Sequence, residues 1–322
     1  MSSNDTFIID LLDKCLLGLY RYANPIVYLL GVLGNLFNLW ILSSKSWKKN
    51  VCACYFCIYS IVSLIYFNCI QLETTLFVGW NINLINSNNI LCKFYYYILF
   101  NCSFLLPTIL LLASIDRLLI SSRNIDTRLY SSKRLFYLST TLAILFWLIF
   151  NSHTFIQVAI QQISSSYAFC SYIQSKVYMN FLIYSSLIIA LINYLSMMIL
   201  TILSFKNLRH HHIISHQHIR RMTKKDFQLL RCLFLQDIFY ICLSTIVLIN
   251  FIYMTITRDK IRTQYQSAII NLVEKCINWT FDWLYISNFF ILISTSKHFR
   301  NEFKRLFRLS IHTRPNSLVN RS

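Results

Sequence analysis

Charged residues are scarce in this 322-residue chain: Asp, Glu, Lys and Arg make up 13% of it, about half the share found in soluble domains. Glycine and proline are also rare, with 4 and 3 residues respectively. Apolar residues account for 56% of the chain, and the mean hydropathy is +0.51. So few polar side chains cannot cover the surface of a soluble domain of this length. Aromatic residues make up 16% of the chain, which excludes a disordered chain. The composition predicts an integral membrane protein.

Long apolar stretches predict the membrane spans. A spanning helix needs ~20 mostly apolar residues, and the chain contains seven such stretches. Five contain no charged residue: 22–44, 50–72, 94–115, 135–175 and 177–205. Two more, 232–257 and 276–296, are interrupted only by Asp237 and Asp282. The stretches are continuous rather than alternating, which excludes a transmembrane β-barrel. We therefore expect an all-α membrane protein, a bundle of seven transmembrane helices.

The distribution of cations predicts the orientation of the bundle. With the N-terminus outside, the four inner segments hold 22 of the 30 Lys and Arg residues, as expected for cytoplasmic segments. We therefore expect an extracellular N-terminus (1–23), the bundle (24–296) and a cytoplasmic segment (297–322), in the plasma membrane. This asymmetry explains the net charge of +18 without a nucleic acid partner. The basic inner face also favours contact with anionic membrane lipid.

Two features flank the predicted bundle. Asn4-Asp5-Thr6 is a glycosylation sequon on the expected outer side. After the seventh span, apolar side chains recur at helical spacing opposite basic ones, which predicts a short amphipathic eighth helix on the membrane surface. Its apolar face consists of Phe299, Phe303, Leu306 and Phe307.

The third span carries the most specific motif. It opens with Cys92 and ends with Asp116-Arg117-Leu118, so that Cys92 and Arg117 are 25 residues apart. This pattern resembles the rhodopsin-like (class A) G-protein-coupled receptors, whose third helix begins with a Cys and ends in Asp/Glu-Arg-Tyr. Further matches in order along the chain are Gly34-Asn35, Trp147, Cys170, Asn288 and the segment 297–303. The chain is similar to a divergent receptor of peptide or orphan type.

The resemblance implies a switch at the inner side. Arg117 would exchange its contact with Asp116 for one with a heterotrimeric G-protein, and Asn35 and Asn288 would belong to the same switching core. From the residues alone, an interfacial arginine that reaches lipid phosphates is the alternative. Asp237, in the inner half of the sixth span, is expected to form a structural or switching hydrogen bond, since acids at membrane depth face a bundle interior.

The resemblance also implies a disulfide between Cys92 and Cys170, which would hold an outer loop over the ligand pocket. Two free thiols are the alternative. Cys15 and Cys276 are candidates for a second outer bridge.

The chain departs from the family pattern at several positions. The usual prolines are missing from the fifth, sixth and seventh spans, where Phe289 and Leu292 replace the seventh-span Pro and Tyr. A swing of the sixth helix therefore needs another hinge, since proline is the commonest cause of a sharp bend. The second-span acid of the family's sodium site would fall within residues 60–63, where no acid exists. Regulation by sodium is therefore not expected.

The ligand class is narrowed by two positions. Leu99 stands where amine receptors have Asp, and Asp282 stands where opsins have the retinal lysine. Amines and retinal are therefore not expected, and neither is a cofactor or a metal. Asp282 is interpreted as a counter-charge for the ligand or as a buried polar group. The expected ligand is a peptide, with a pocket that includes Tyr96, Leu99, Trp279, Asp282 and Trp283. An interfacial aromatic belt is the alternative for the aromatic members.

The function expected from this resemblance is transmission of ligand binding to a G-protein, without enzymatic activity. The alternative is a polytopic transporter or channel without G-protein coupling. Transporters often show internal repeats and helices broken by Gly or Pro, which this sequence lacks. A membrane enzyme needs a polar catalytic set at membrane depth, and Asp237, Asp282 and His153 do not form a recognisable one.

Overall fold

The computed structural model describes residues 3–47, 50–121, 133–164, 167–172, 176–213, 224–257 and 260–312, and nearly all of them are helical. The helices are α1 (Ser3–Gly18), α2 (Asn24–Leu42), α3 (Val51–Tyr66), α4 (Leu72–Trp80), α5 (Asn89–Ser121), α6 (Lys133–Phe150), α7 (Thr154–Gln157), α8 (Lys176–Ile213), α9 (Lys224–Ile256), α10 (Gln264–Thr295) and α11 (Lys297–His312). A two-stranded antiparallel hairpin, β1 (Val158–Ser164) and β2 (Tyr167–Tyr172), follows α7.

Six helical stretches of the described chain are long and apolar enough to cross a membrane. They are Thr6–Leu42, Val51–Trp80, Asn89–Leu119, Lys133–Gln157, Val177–Leu203 and Phe227–Ile256. Each overlaps a stretch predicted from the sequence. These helices agree with the expected multi-pass, all-α membrane protein.

Helix α10, the expected seventh span, differs from these six in composition. Its 32 residues extend about 48 Å at the usual helical rise, which is long enough to cross a bilayer. Its polar residues, among them Asp282, Ser287 and Asn288, make it less apolar than the six, and it is not one of them. All three side chains are buried. The described residues therefore contain six helical stretches that are apolar enough to cross a membrane, and the seventh span stays a prediction.

The first helical stretch is longer than the sequence predicted. Helix α1 continues into α2 through a π-helical turn, Leu19–Ala23. Residues 3–23 were expected as an extracellular segment, and the structure shows that they are helical and that α1 packs against α10. A second π-helical turn, Phe67–Gln71, joins α3 to α4.

The long helices form a closed ring. Helix α2 packs against α3, α3 against α5, α5 against α8, α8 against α9, α9 against α10, and α10 against α2. Helix α6 lies outside this ring, against α5 and α3. Because α10 contacts both α2 and α9, it closes the ring that the six apolar spans leave open.

Two glycines of α2 permit close approach of its neighbours. A Cβ atom added at Gly31 would overlap the ring of Phe67, the first residue of the second π-helical turn. A Cβ atom at Gly34 would lie 3.1 Å from Cβ of Phe289 in α10. The lack of a side chain at these positions lets α3 and α10 pack directly on α2.

Helix α11 follows α10 after one residue, Ser296. Phe299 is fully buried and contacts the ring of Phe289, whereas Lys304 and Arg305 are exposed. Arg300 donates hydrogen bonds to the carbonyl oxygens of the last turn of α10, a favourable place for a cation. The expected amphipathic pattern is therefore present in the described part of α11.

Candidate functional site

The two ends of α5 divide the bundle into a disulfide end, at Cys92, and an arginine end, at Arg117. At the disulfide end, Cys92 and Cys170 are bonded, with their Cα atoms 5.6 Å apart. Cys170 lies in β2, opposite Ile160 of β1, so that the bond fastens the hairpin to the first turn of α5. The predicted disulfide is confirmed. Cys15 and Cys276 are free thiols, and the suggested second bridge is not formed.

Tyr96 and Leu99 lie one and two turns further along α5 than Cys92. The Tyr96 hydroxyl donates a hydrogen bond to the carbonyl oxygen of Cys170, at 3.4 Å. Its ring contacts those of Tyr95 and Tyr172, at 5.5 and 4.8 Å between centroids. Leu99 is half-buried and packs against the main apolar core. Tyr96 therefore links α5 to the hairpin that the disulfide holds, whereas Leu99 faces the interior.

Asp282 is the centre of a buried polar network at the same end. It is 7% exposed, and its Oδ1 accepts a hydrogen bond of 2.6 Å from the Tyr66 hydroxyl. The Gln71 amide, in the π-helical turn after Tyr66, also interacts with the Asp282 carboxyl. Gln71 donates in addition to Asn24 Oδ1 at 2.6 Å, and Asn24 donates to Thr75 at 2.7 Å. This network joins α10 to α3, α4 and α2.

The two tryptophans that the sequence predicts in the ligand pocket contact each other on α10. The rings of Trp279 and Trp283 meet edge to face, with centroids 5.9 Å apart. Both side chains are half-buried and pack against the core. The indole N–H of Trp279 is buried and has no acceptor among the described residues.

At the arginine end, Asp116 and Arg117 form an ion pair. Arg117 Nη2 lies 2.9 Å from Asp116 Oδ2, and the two side chains are 2% and 4% exposed for Arg117 and Asp116 respectively. The arginine is thus folded into the bundle and not extended to the surface, as lipid contact would require. Removing one partner of such a buried pair is far more damaging than removing an exposed salt bridge.

Asn35 and Asn288 lie in the middle of the bundle and join helices. Asn35 Nδ2 donates to the carbonyl oxygens of Gly31 and Tyr285, at 2.8 and 3.0 Å. It thereby ties α2 to α10. Asn288 Nδ2 donates to Ser60 Oγ at 3.5 Å, a long bond that ties α10 to α3. Both side chains are 1% exposed.

Helix α9 forms side-chain hydrogen bonds with its neighbours at several positions along its length, among them Gln236-Asp237 and its start. Ser114 Oγ, one turn before Arg117, donates to Asp237 Oδ2 at 2.8 Å. Gln236 Nε2 donates to Ser287 Oγ of α10 at 2.9 Å and to the Tyr59 hydroxyl of α3 at 3.3 Å. The predicted hydrogen bond of Asp237 is thus present, and its partner is on α5.

The second of these positions lies at the start of α9. Gln228 Oε1 accepts from Ser296 Oγ at 3.0 Å and from the His298 backbone N–H at 3.3 Å. Cys232 Sγ lies 2.7 Å from Thr295 Oγ1. The start of α9 is therefore held against the junction of α10 and α11.

Sequence reasoning missed the neutral members of these networks. Tyr66, Gln71 and Asn24 at one end and Gln236 and Gln228 at the other carry no charge. A signal existed for the amides, since Asn24, Gln71 and Gln236 are polar residues within or beside apolar spans, where a partner is needed. Tyr66 gave no such signal. Asn4, the predicted glycosylation site, lies within α1.

Neither the models of known protein families nor the curated proteins with which the chain was compared include a match to it.

Proposed function

We propose that this chain is a receptor of the G-protein-coupled type, which transmits binding of an extracellular ligand to a heterotrimeric G-protein. In this proposal the bundle has seven spans, with α10 as the seventh and α11 as the short helix on the inner membrane surface. The disulfide end faces outward and the arginine end faces the cytosol, in the plasma membrane. The distribution of Lys and Arg supports this orientation.

The observation that carries the proposal is the construction of α5. This helix of 33 residues is about 50 Å long, and its disulfide end is fastened to the hairpin by Cys92–Cys170. Its arginine end carries the buried Asp116–Arg117 pair. One helix therefore connects a restrained outer loop to a charged pair that water does not reach. A displacement of α5 at its disulfide end can therefore move the Asp116–Arg117 pair at its other end.

The outer half of the bundle supports a peptide ligand. Aromatic side chains surround a buried carboxylate, Asp282, which accepts a hydrogen bond from the neutral Tyr66 hydroxyl and interacts with the neutral Gln71 amide. A buried carboxylate is stabilised by a cation, and aromatic rings bind apolar and cationic groups. We propose a peptide with an apolar and a basic side chain, bound near Tyr96, Leu99, Trp279, Asp282 and Trp283. The unpaired indole N–H of Trp279 adds a donor for a peptide carbonyl.

The inner half supports a two-state switch. In the described state Arg117 is neutralised by Asp116 within the bundle, and α9 is bonded to α5, α3 and α10. A ligand that binds better to a state in which these contacts open shifts the population toward that state. Arg117 is then available to the G-protein, and nucleotide exchange takes place on that partner. Coupling is reciprocal, so the bound G-protein raises ligand affinity by the same factor.

The test is guanine-nucleotide exchange on purified heterotrimers by the full chain in lipid nanodiscs. It is measured without ligand and with a pooled library of synthetic peptides that contain Lys or Arg. We expect faster exchange on at least one class of heterotrimer, and a return to the rate of the G-protein alone both in Arg117→Ala and in Asp116→Leu/Arg117→Met, which removes both charges of the pair. Arg134→Ala, an exposed arginine at the start of α6, is the matched control and should keep the activity.

The transporter or channel alternative predicts a different result. If no heterotrimer responds with or without peptides, while proteoliposomes that contain the chain take up solute or conduct ions, the receptor proposal is wrong.

A further inference from the structure

Helix α9 contains no proline, so a change in its position needs a flexible point elsewhere in the bundle. Two of the three prolines lie in the described part of the chain. Pro25 lies in the first turn of α2, where a helix makes no use of the missing N–H. Pro107 lies inside α5, where the missing N–H removes a helical hydrogen bond.

Pro107 divides α5 into two parts with different restraints. It follows Cys92 by 15 residues and precedes Arg117 by 10. Because Pro107 has no N–H, the carbonyl oxygen of Ser103 lacks its usual backbone donor four residues on. The backbone hydrogen bonding of α5 is therefore interrupted between Ser103 and Pro107, inside the helix and away from both of its ends.

A small cavity lies beside this weak point. Its volume is about 10 Å³, close to the space that one water molecule needs. The lining comes from four helices and includes Ser103, Pro107, Tyr59, Tyr240, Phe281 and Tyr285. Protein interiors have few such gaps, and here the gap lies on the side of Pro107 that faces α3, α9 and α10. The bend of α5 can change there with small movements of side chains.

The part of α5 beyond Pro107 is connected to α9. Ser114 is 1% exposed and donates the 2.8 Å hydrogen bond to Asp237, which is 3% exposed. Asp237 Oδ1 has no partner among the described residues, so the described side-chain hydrogen bond of this carboxyl comes from Ser114. A buried hydrogen bond of this kind is costly to break without a replacement. A change in the bend of α5 therefore moves α9 as well.

We propose that Pro107 is the hinge of this bundle, and that the Ser114–Asp237 hydrogen bond carries the movement of the arginine-end part of α5 to α9. The proposal rests on the proposed receptor function, which requires two arrangements of the arginine end.

Amide hydrogen exchange of the full chain in nanodiscs, without ligand or G-protein, tests the hinge. Pro107→Ala restores the missing N–H and stiffens α5, so that openings of the arginine end become rarer. We expect deuterium uptake to slow about tenfold in peptides covering 108–119 of α5 and 227–237 of α9, since alanine favours the straight helix far more than proline does. Pro25→Ala, the matched control, should change neither. Unchanged uptake in both segments of Pro107→Ala would overturn the hinge.

The hydrogen bond is tested by adding Ser114→Ala, which removes the donor and leaves the helix intact. In this background Pro107→Ala should still slow exchange in the α5 peptides but should no longer affect the α9 peptides. If the α9 peptides respond as strongly as before, the movement does not pass through Ser114 and Asp237, and that part of the proposal is wrong.

Failure of the hinge and failure of the receptor function can be told apart. Deuterium uptake is read without a G-protein, so a chain that activates no heterotrimer still gives a result. Active exchange by the wild-type chain together with unchanged uptake in Pro107→Ala would remove the hinge and leave the receptor function standing.

Discussion

Asp116 and Arg117 are adjacent in sequence and bonded in the structure, and both are nearly inaccessible to water. An exposed ion pair contributes little to stability, because water screens it. A buried pair behaves differently, because each charge depends on the other for its loss of hydration. The arrangement of these two side chains therefore has consequences for folding as well as for switching.

Arg117→Ala is expected to destabilise the fold by about 3–5 kcal/mol, because it removes the charge that pairs with the buried Asp116 carboxylate. The double variant Asp116→Leu/Arg117→Met removes both charges and is expected to be much closer to the wild type. The midpoint of thermal unfolding in detergent measures both. Equal midpoints for Arg117→Ala and the wild type would show that Asp116 does not depend on Arg117.

The bond from Tyr66 to Asp282 gives a second expectation for single residues. Tyr66→Phe removes a donor from a buried carboxyl and should cost about 1–3 kcal/mol. Tyr28→Phe, which removes the hydroxyl that bonds the exposed Asn68, is the matched control and should cost much less. Thermal midpoints compare the two, and a smaller loss for Tyr66→Phe than for Tyr28→Phe would contradict the network.

The residues of these sites could be predicted from the sequence where they break a pattern. Asp282 interrupts an apolar stretch, and Cys92 and Arg117 are 25 residues apart at the two ends of another. Their partners could not be predicted in the same way, because Tyr66 and Asp282 are 216 residues apart and nothing local relates them. Pairings at that distance depend on how the helices pack.

Among the contacts between helices, that of α2 with the π-helical turn after α3 depends on Gly31. The ring of Phe67, which is fully buried, occupies the place where a side chain at position 31 would be. Phe67 also begins a π-helical turn, and such turns often change the direction of side chains within a helix. The glycine and the turn are therefore parts of one contact.

Gly31→Val is expected to destabilise the bundle by about 1–3 kcal/mol, because overpacking forces Phe67 or the backbone to move. Adding Phe67→Ala should recover part of the loss, since it makes room for the new side chain. Gly18→Ala serves as the control, because nothing lies within 4 Å of a Cβ atom at that position. Thermal midpoints report the series, and a Gly31→Val midpoint as high as that of Gly18→Ala would disprove the contact.

Positions of the spans follow from apolar runs, and six of the seven predicted stretches are apolar helices in the structure. Details within the helices do not follow in this way. The π-helical turns depend on contacts such as Gly31 with Phe67, and the extension of the first helix back to Ser3 depends on the packing of α1 against α10. Hydropathy averaged along the sequence gives no information on either of these packing contacts.

Helix α10 is the seventh span of the proposed topology, and its packing bears on the whole bundle. It closes the ring between α2 and α9, and its polar side chains are directed to neighbouring helices. Asp282, Ser287 and Asn288 are bonded to α3, α9 and α3 respectively. Because these polar groups are buried against other helices and not exposed to lipid, their polarity is compatible with a membrane-spanning helix.

The expected orientation also predicts a glycan. With the N-terminus outside, Asn4 is available for modification, and a glycosidase should increase the electrophoretic mobility of the chain expressed in animal cells. Asn4→Gln should show the same mobility with and without the enzyme. A glycan that persists in Asn4→Gln would place the modification elsewhere.

Small epitope tags on the two termini test whether the chain crosses the membrane seven times. With seven crossings, antibodies reach the N-terminal tag on intact cells and the C-terminal tag only after permeabilisation. Detection of both tags on the same face, as six crossings would require, would contradict it.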